Sequence, residues 1–91
     1  MINPCIGLLE FNSIASGIEA TDAMLKEAPI EVLVSRPVCA GKYIVLISGE
    51  VEDTRRALSR GKENRSSNLV DELFLPNAHP SLYPAIAGTV P

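Results

Sequence analysis

The sequence predicts an α+β domain of split βαβ type, an antiparallel sheet with both helices on one face. Three observations carry that prediction. Two stretches show helical spacing, Ser13 to Lys26 and Val51 to Lys62. Four others read as strands, giving the order βαββαβ. Pro and Gly residues punctuate the joins between them.

Cys5 to Phe11 reads as the first strand. Its run is nearly continuously apolar, and Gly7 marks a close backbone approach. Asn12 or Ser13 can cap the helix that follows. In that helix Ile14, Ile18 and Leu25 share one face, flanked by Ala15 and Met24, as an amphipathic helix requires. Ala20, Ala23 and Ala28 supply small residues where a second surface packs closely. Pro29 ends the helix, because it cannot continue the hydrogen-bond ladder.

Ile30 to Val34 is β-branched and predicts the second strand. Arg36 to Gly41 reads as a connection. Lys42 to Ser48 predicts the third strand, and the unbroken apolar run Tyr43 to Ile47 says that both its faces are covered. Gly49-Glu50-Val51 turns into the second helix. Acids at its start (Glu50, Glu52, Asp53) and bases further on (Arg55, Arg56, Arg60, Lys62) complement the helix dipole. Glu63 to Asn68 is a polar loop. Leu69 to Pro76 holds a last strand around Leu73, Phe74 and Leu75. The tail from Asn77 to Pro91 carries one expected helical turn near Ser81 to Ala85.

At 91 residues the chain reads as one domain, residues 1–91. A domain this small buries only a little over ~60% of its unfolded surface, and oligomerisation is a common remedy. Hydrophobic residues make up 46% and charged residues 21%, a globular composition. The net charge of −3 and pI near 5.0 argue against nucleic-acid and anionic-membrane partners, which want a basic face. With only Phe11, Tyr43, Phe74 and Tyr83 as aromatics, base-stacking platforms are not expected either. Cys5 and Cys39 form no C-x-x-C motif and no disulfide framework, which fits a reducing cytosol. Met1 to Pro4 lacks the features of a signal peptide, and the longest apolar run is far too short to span a membrane.

The residues show no catalytic constellation. No Ser-His-Asp set and no phosphate-cradling glycine loop is present, and Glu10 and Glu19 are acids without a paired carboxylate. The cluster Arg55, Arg56, Arg60, Lys62 and Arg65 is offset by nearby acids and reads as a solvated face. His79, the single histidine, reads as a surface or edge residue. Cys5 reads as core packing. On residue chemistry alone Cys39 is a small loop hydrophobe and Lys26 a lysine complementing its helix C-terminus.

Several segments together resemble the bacterial microcompartment (BMC) shell domain. They are Ile6 to Glu10, Ile18 to Lys26, Gly41-Lys42-Tyr43 and Gly49-Glu50-Val51. Their order and spacing match from about Cys5 to Gly88. The resemblance implies a structural shell protein and no enzyme. It implies flat six-sided tiles around a central pore, formed as hexamers of single modules or as trimers of tandem modules. It implies assembly with further copies and with neighbouring shell proteins, inside a cytoplasmic compartment. The family's pore-lining connection maps onto Val38, Cys39, Ala40 and Gly41. Its tile-edge lysine maps onto Lys26.

Pro37 to Lys42 and Asn77 to Ser81 are most similar to the first half of tandem, trimeric members from propanediol-utilisation compartments. In those members the pore cysteine holds an iron–sulfur cluster on the three-fold axis. The resemblance implies the same role for Cys39, with a [4Fe–4S] cluster ligated by symmetry-related copies and encapsulated redox enzymes as partners. Two features depart from the pattern. The sequence stops at Pro91, where a tandem protein continues. The edge motif Arg-Pro-His of ordinary hexameric tiles is replaced around Asn77 and His79. Three functions stay open at this point: a tile with a redox-active pore, a plain metabolite-passing tile, and a regulatory module binding a small effector.

Overall fold

A computed structural model describes residues 5–76. The elements are β1 (Cys5–Phe11), α1 (Ile14–Glu27), β2 (Glu31–Pro37), β3 (Tyr43–Gly49), α2 (Val51–Lys62), a 3-10 turn (Ser66–Asn68) and β4 (Leu69–Leu75). The expected turn near Ser81, and the residues Asn77 and His79, lie outside the described residues. The strands form one antiparallel sheet in the order β2-β3-β1-β4. This is the split βαβ arrangement the sequence predicts.

Burial follows that order. In the central strand β3 every residue from Tyr43 to Ser48 is buried, as its unbroken apolar run requires. The main core gathers Leu9, Phe11, Val45 and Ile47 from one face of the sheet with Ala20, Met24, Ala57 and Leu58 from the helices. Ile6 and Leu46 form a smaller cluster on the other face, with Leu8, Val34 and Leu75. Gly7 lies against Leu58 of α2, the close approach its position in β1 foretells.

Two edge strands run longer than their sequences suggest. The second strand continues through Arg36 and Pro37, because the ladder to β3 holds as far as Pro37 and Tyr43. Proline is tolerated there since β2 is an edge strand. The connection therefore shrinks to residues 38–42. The last strand begins at Leu69, four residues before its apolar centre. Its polar residues Asp71 and Glu72 pair with β1 and are exposed at the other edge.

Helix α1 reverses the expected assignment of its faces. Ser13 is the N-cap, its hydroxyl accepting the Ser16 N–H at 3.2 Å. The buried side is Ser16, Gly17, Ala20 and Met24, the small residues with one methionine. Ile14, Ile18 and Leu25 are 41%, 55% and 51% exposed. The reason is distance: the ring of Tyr43 lies directly under Gly17, so a large side chain there has no room. Amphipathic spacing marks two stripes on this helix, and the smaller one faces the core.

This assignment is checked by two substitutions of equal size. Ala20→Leu, at a fully buried site, is expected to cost about 1–3 kcal/mol through overpacking. Ala15→Leu, at an exposed site one stripe away, is expected to change stability by less than about 0.5 kcal/mol. Denaturant midpoints measure both; equal costs would contradict the placement of α1.

Candidate functional site: the hairpin loop and two apolar flanks

The predicted loop residues sit together at the tip of the β2–β3 hairpin. The Val38 N–H donates to the Lys42 carbonyl at 3.2 Å, and the Lys42 N–H donates to the Cys39 carbonyl at 3.0 Å. The second bond closes a tight turn over Ala40 and Gly41. Gly41 has φ +77°, the left-handed conformation that glycine adopts without steric cost. Cys39, Ala40 and Gly41 are exposed and Val38 is half-buried. The thiol is thus carried on a closed turn, facing away from the core. At the base of the loop, Lys42 Nζ lies 3.7 Å from Glu10 Oε2 on β1. The acid that stands alone in the sequence therefore faces a lysine brought to it by the hairpin.

Lys26 is elsewhere, in the last turn of α1. Its ammonium pairs with Asp22 one turn back at 2.9 Å, and both side chains are well exposed. Beside it runs a charged cleft of about 390 Å³ between the two helices, with Glu19, Arg60 and Arg65 on its walls. The basic cluster of α2 is matched by acids throughout. Arg55 meets Glu52 at 3.4 Å, Arg56 meets Asp53 and Glu27, Arg60 meets Glu63, Lys62 meets Glu72 at 2.8 Å, and Arg65 meets Glu19 at 3.7 Å. Such surface pairs add little stability, and they cancel the field an anion would seek. The solvated-face reading holds for the α2 residues of this cluster, whereas Arg65, beyond the helix, is largely covered at 18% exposure.

The structure adds a feature that strand and helix patterns did not single out. The large exposed apolar residues fall on two flanks. On the β2 side they are Ile14, Ile18 and Leu25 of α1, with Leu33 of β2. On the β4 side they are Val70 and Leu73. Both edge strands carry a bulge. Val32 and Val34 pair with consecutive residues of β3, leaving Leu33 unpaired. Phe11 and Glu10 pair with Leu69 and Asp71, leaving Val70 unpaired. Each bulge residue is thus a large apolar side chain on an outer strand. The available signal was the outer stripe of α1, which is legible once its inner stripe is recognised as small residues.

The two cysteines differ sharply. Cys5 is buried, and burial pushes its thiol up, against weaker opposing pulls from the Thr54 hydroxyl and the Arg55 charge. It is a packing residue, as expected. Cys39 is exposed. Among the described residues no group of three or more His, Cys, Asp or Glu side chains converges to hold a metal. One chain thus offers one accessible thiol on a closed turn.

These features define a class before they define a family. The chain is a building block, with an exposed loop at one end of its sheet and apolar flanks along both edges. The chain belongs to the BMC domain family, which matches it over residues 5–78. It is a module of the structural, non-catalytic kind that makes up bacterial microcompartment shells. It is 45% identical over 87 residues to the bacterial microcompartment shell protein PduT of Citrobacter freundii, covering 96% of this chain and 47% of that protein. It is 36% identical over 61 residues to the shell protein EutK of Escherichia coli K12, covering 67% of this chain and 36% of that one. A crystal structure of a microcompartment protein from Desulfitobacterium hafniense superposes with a TM-score of 0.85 at 47% identity, covering 98% of this chain and 49% of its own. The chain spans about half the length of PduT and of that solved protein.

The contrast between the cysteines gives a direct check. Brief treatment of the native protein with iodoacetamide near pH 8 is expected to add one carbamidomethyl group, at Cys39, with Cys5 modified only in denaturant. Peptide mass spectrometry locates the label. Equal labelling of both thiols would contradict the burial of Cys5.

Proposed function

We propose that this module builds a hexagonal shell tile whose central pore is ringed by the 38–42 loop, with Cys39 able to hold an iron–sulfur cluster. The observation that carries the reading is the placement of the flanks relative to the loop. The flanks lie along the two edges of the sheet, and the loop lies at the strand ends. A head-to-tail ring joins one edge of each copy to the opposite edge of the next. Ring closure through the edges carries strand-end loops toward the common axis. Val38, Cys39, Ala40 and Gly41 then line the opening, and Lys26 lies on the tile's outer reaches, where neighbouring shell proteins dock.

The bulges support side-chain contact over strand pairing. A bulged edge resists addition of a further strand. Leu33 and Val70, displaced from their ladders, are free to pack against another surface. The module's thinnest dimension, 16 Å against 37 and 27 Å, suits a flat tile.

One chain cannot hold a cubane cluster, which takes about four thiolate ligands. The donor set fits only as one equal share. Three copies of Cys39 on a three-fold axis would supply three ligands, matching the body diagonal of a [4Fe–4S] cube. When bound, such a cluster supplies one-electron transfer, across the shell or to a redox enzyme enclosed by it. Cys39 would hold it, and the turn closed by Lys42 would keep the thiol in place. Three-fold symmetry arises when this module is the first half of a tandem chain; six identical modules place six thiols on the axis instead. The setting is a microcompartment shell in the bacterial cytoplasm, of the propanediol-utilisation type that the likeness to PduT favours.

Two experiments test the reading. The ring is tested with paired variants, Ile18→Arg with Leu25→Arg on one flank and Val70→Arg with Leu73→Arg on the other. Each pair alone is expected to give a folded monomer by native mass spectrometry and circular dichroism. Mixed, they are expected to form a 1:1 dimer through the one intact interface and nothing larger. A full-sized ring from either variant alone would overturn the edge-to-edge assembly. The cluster is tested by iron content and broad visible absorption after anaerobic purification, both expected to vanish in Cys39→Ser with the assembly mass unchanged. A colourless, iron-free wild-type ring would instead identify a plain metabolite-passing tile.

A further inference from the structure

We infer that Tyr43 is a positioning residue for the 38–42 loop, holding both legs of its hairpin to helix α1 through a directed chain of hydroxyls. Tyr43 is the first residue of β3, immediately after the loop. Its hydroxyl lies 2.7 Å from Ser35 Oγ on β2, and Ser35 Oγ lies 3.0 Å from Thr21 Oγ1 on α1. Thr21 Oγ1 donates to the Gly17 carbonyl, one helical turn back, at 2.9 Å. Each hydroxyl has a single proton, and a carbonyl has none. The carbonyl at the end therefore fixes the direction of every bond. Thr21 spends its proton on Gly17, so it accepts from Ser35. Ser35 in turn accepts from Tyr43. The order is Tyr43 to Ser35 to Thr21 to Gly17, with no donor left over.

The ring of Tyr43 is held as well as its hydroxyl. It lies against Gly17 so closely that a β-carbon there would overlap Tyr43 Cδ1 and Cγ and would sit 2.8 Å from Tyr43 Cβ. Gly17 thus accepts the end of the hydroxyl chain and makes room for its start. Ser35 and Tyr43 stand on opposite legs of the hairpin, two pairs apart in the ladder, just below the turn that carries Cys39. Both legs are fixed to α1 at that level. The same helix presents Ile14, Ile18 and Leu25 outward. The direction in which the loop points is thereby set relative to the outer flank of α1. The inference concerns contacts within one chain and stands whether or not copies of Cys39 meet.

Amide hydrogen exchange on the full 91-residue chain tests it. Tyr43→Phe keeps the ring and removes the proton donor. Local opening of the loop governs exchange at Val38 and Lys42, whose N–H groups make the two turn bonds. Exchange at those amides is expected to rise about tenfold, with Leu9 of β1 and Ala57 of α2 unchanged. Thr21→Val, which removes the link to α1, is expected to shift the same amides in the same direction. Thr21→Ser, which keeps the hydroxyl, is expected to restore them. Unchanged exchange at Val38 and Lys42 in Tyr43→Phe would overturn the inference. So would a uniform rise across the sheet, because that marks general destabilisation.

Discussion

Helix α1 rests on the sheet through its smallest side chains, and that close seating decides what the rest of the surface can offer. Ser16, Gly17 and Ala20 face inward, and at Gly17 the Tyr43 ring leaves no room for a side chain. A helix has one circumference, so large residues kept off the inner face must appear on the outer one. Ile14, Ile18 and Leu25 are exposed as a consequence of packing geometry. In a chain of 91 residues this is a substantial share of apolar surface left in water. A monomer gains nothing from it, whereas a chain that meets its own copies buries it.

The sheet edges limit how that burial proceeds. Unmodified edge strands offer rows of open N–H and C=O groups, and strand addition through them has no natural stopping point. Here β2 and β4 each carry a bulge, and each bulge turns out an apolar residue in place of a ladder partner. Contact through such residues depends on shape, and shape-dependent head-to-tail contact fixes a rotation per copy. A rotation that divides the circle closes a ring; strand addition would run on as a filament. The bulges therefore favour side-chain contact over strand addition.

Much of the fold was legible in the sequence because it follows from local rules. Element order, the covered central strand, the capping by Ser13 and the dipole pattern of α2 are each written in short stretches. The misjudged parts depend on residues far apart in the chain. Which stripe of α1 faces the core depends on the sheet beneath it, where Tyr43, more than twenty residues later, lies against Gly17. The true length of β2 is decided by its partner strand, since Arg36 and Pro37 look like loop residues until paired with β3. The site divides the same way. The turn at Cys39 to Lys42 was visible from Gly41 and its neighbours. The Lys42–Glu10 pair, the hydroxyl chain from Tyr43 and the two flanks arise only when distant strands meet.

A site divided among copies behaves differently from one built within a chain. Each module carries one exposed thiol, on a turn whose backbone is closed by Lys42. The Lys42 ammonium at the base of the turn faces Glu10. Bringing several negative sulfurs to one axis is unfavourable unless positive iron lies between them, and metal binding releases the thiol protons as it forms. Under the proposed function, cluster and ring would be linked, since each would be more favourable in the presence of the other. Loop rigidity sets how strong that linkage is. A mobile loop would let the thiols drift apart after assembly and lose the benefit of convergence. A loop tied to α1 would deliver the sulfur to a defined place if the flanks set the distance between copies. On the proposed assembly, the packing of Tyr43 against Gly17 would bear on both halves of the linkage, because it lies behind the exposed flank of α1 and beside the base of the 38–42 loop.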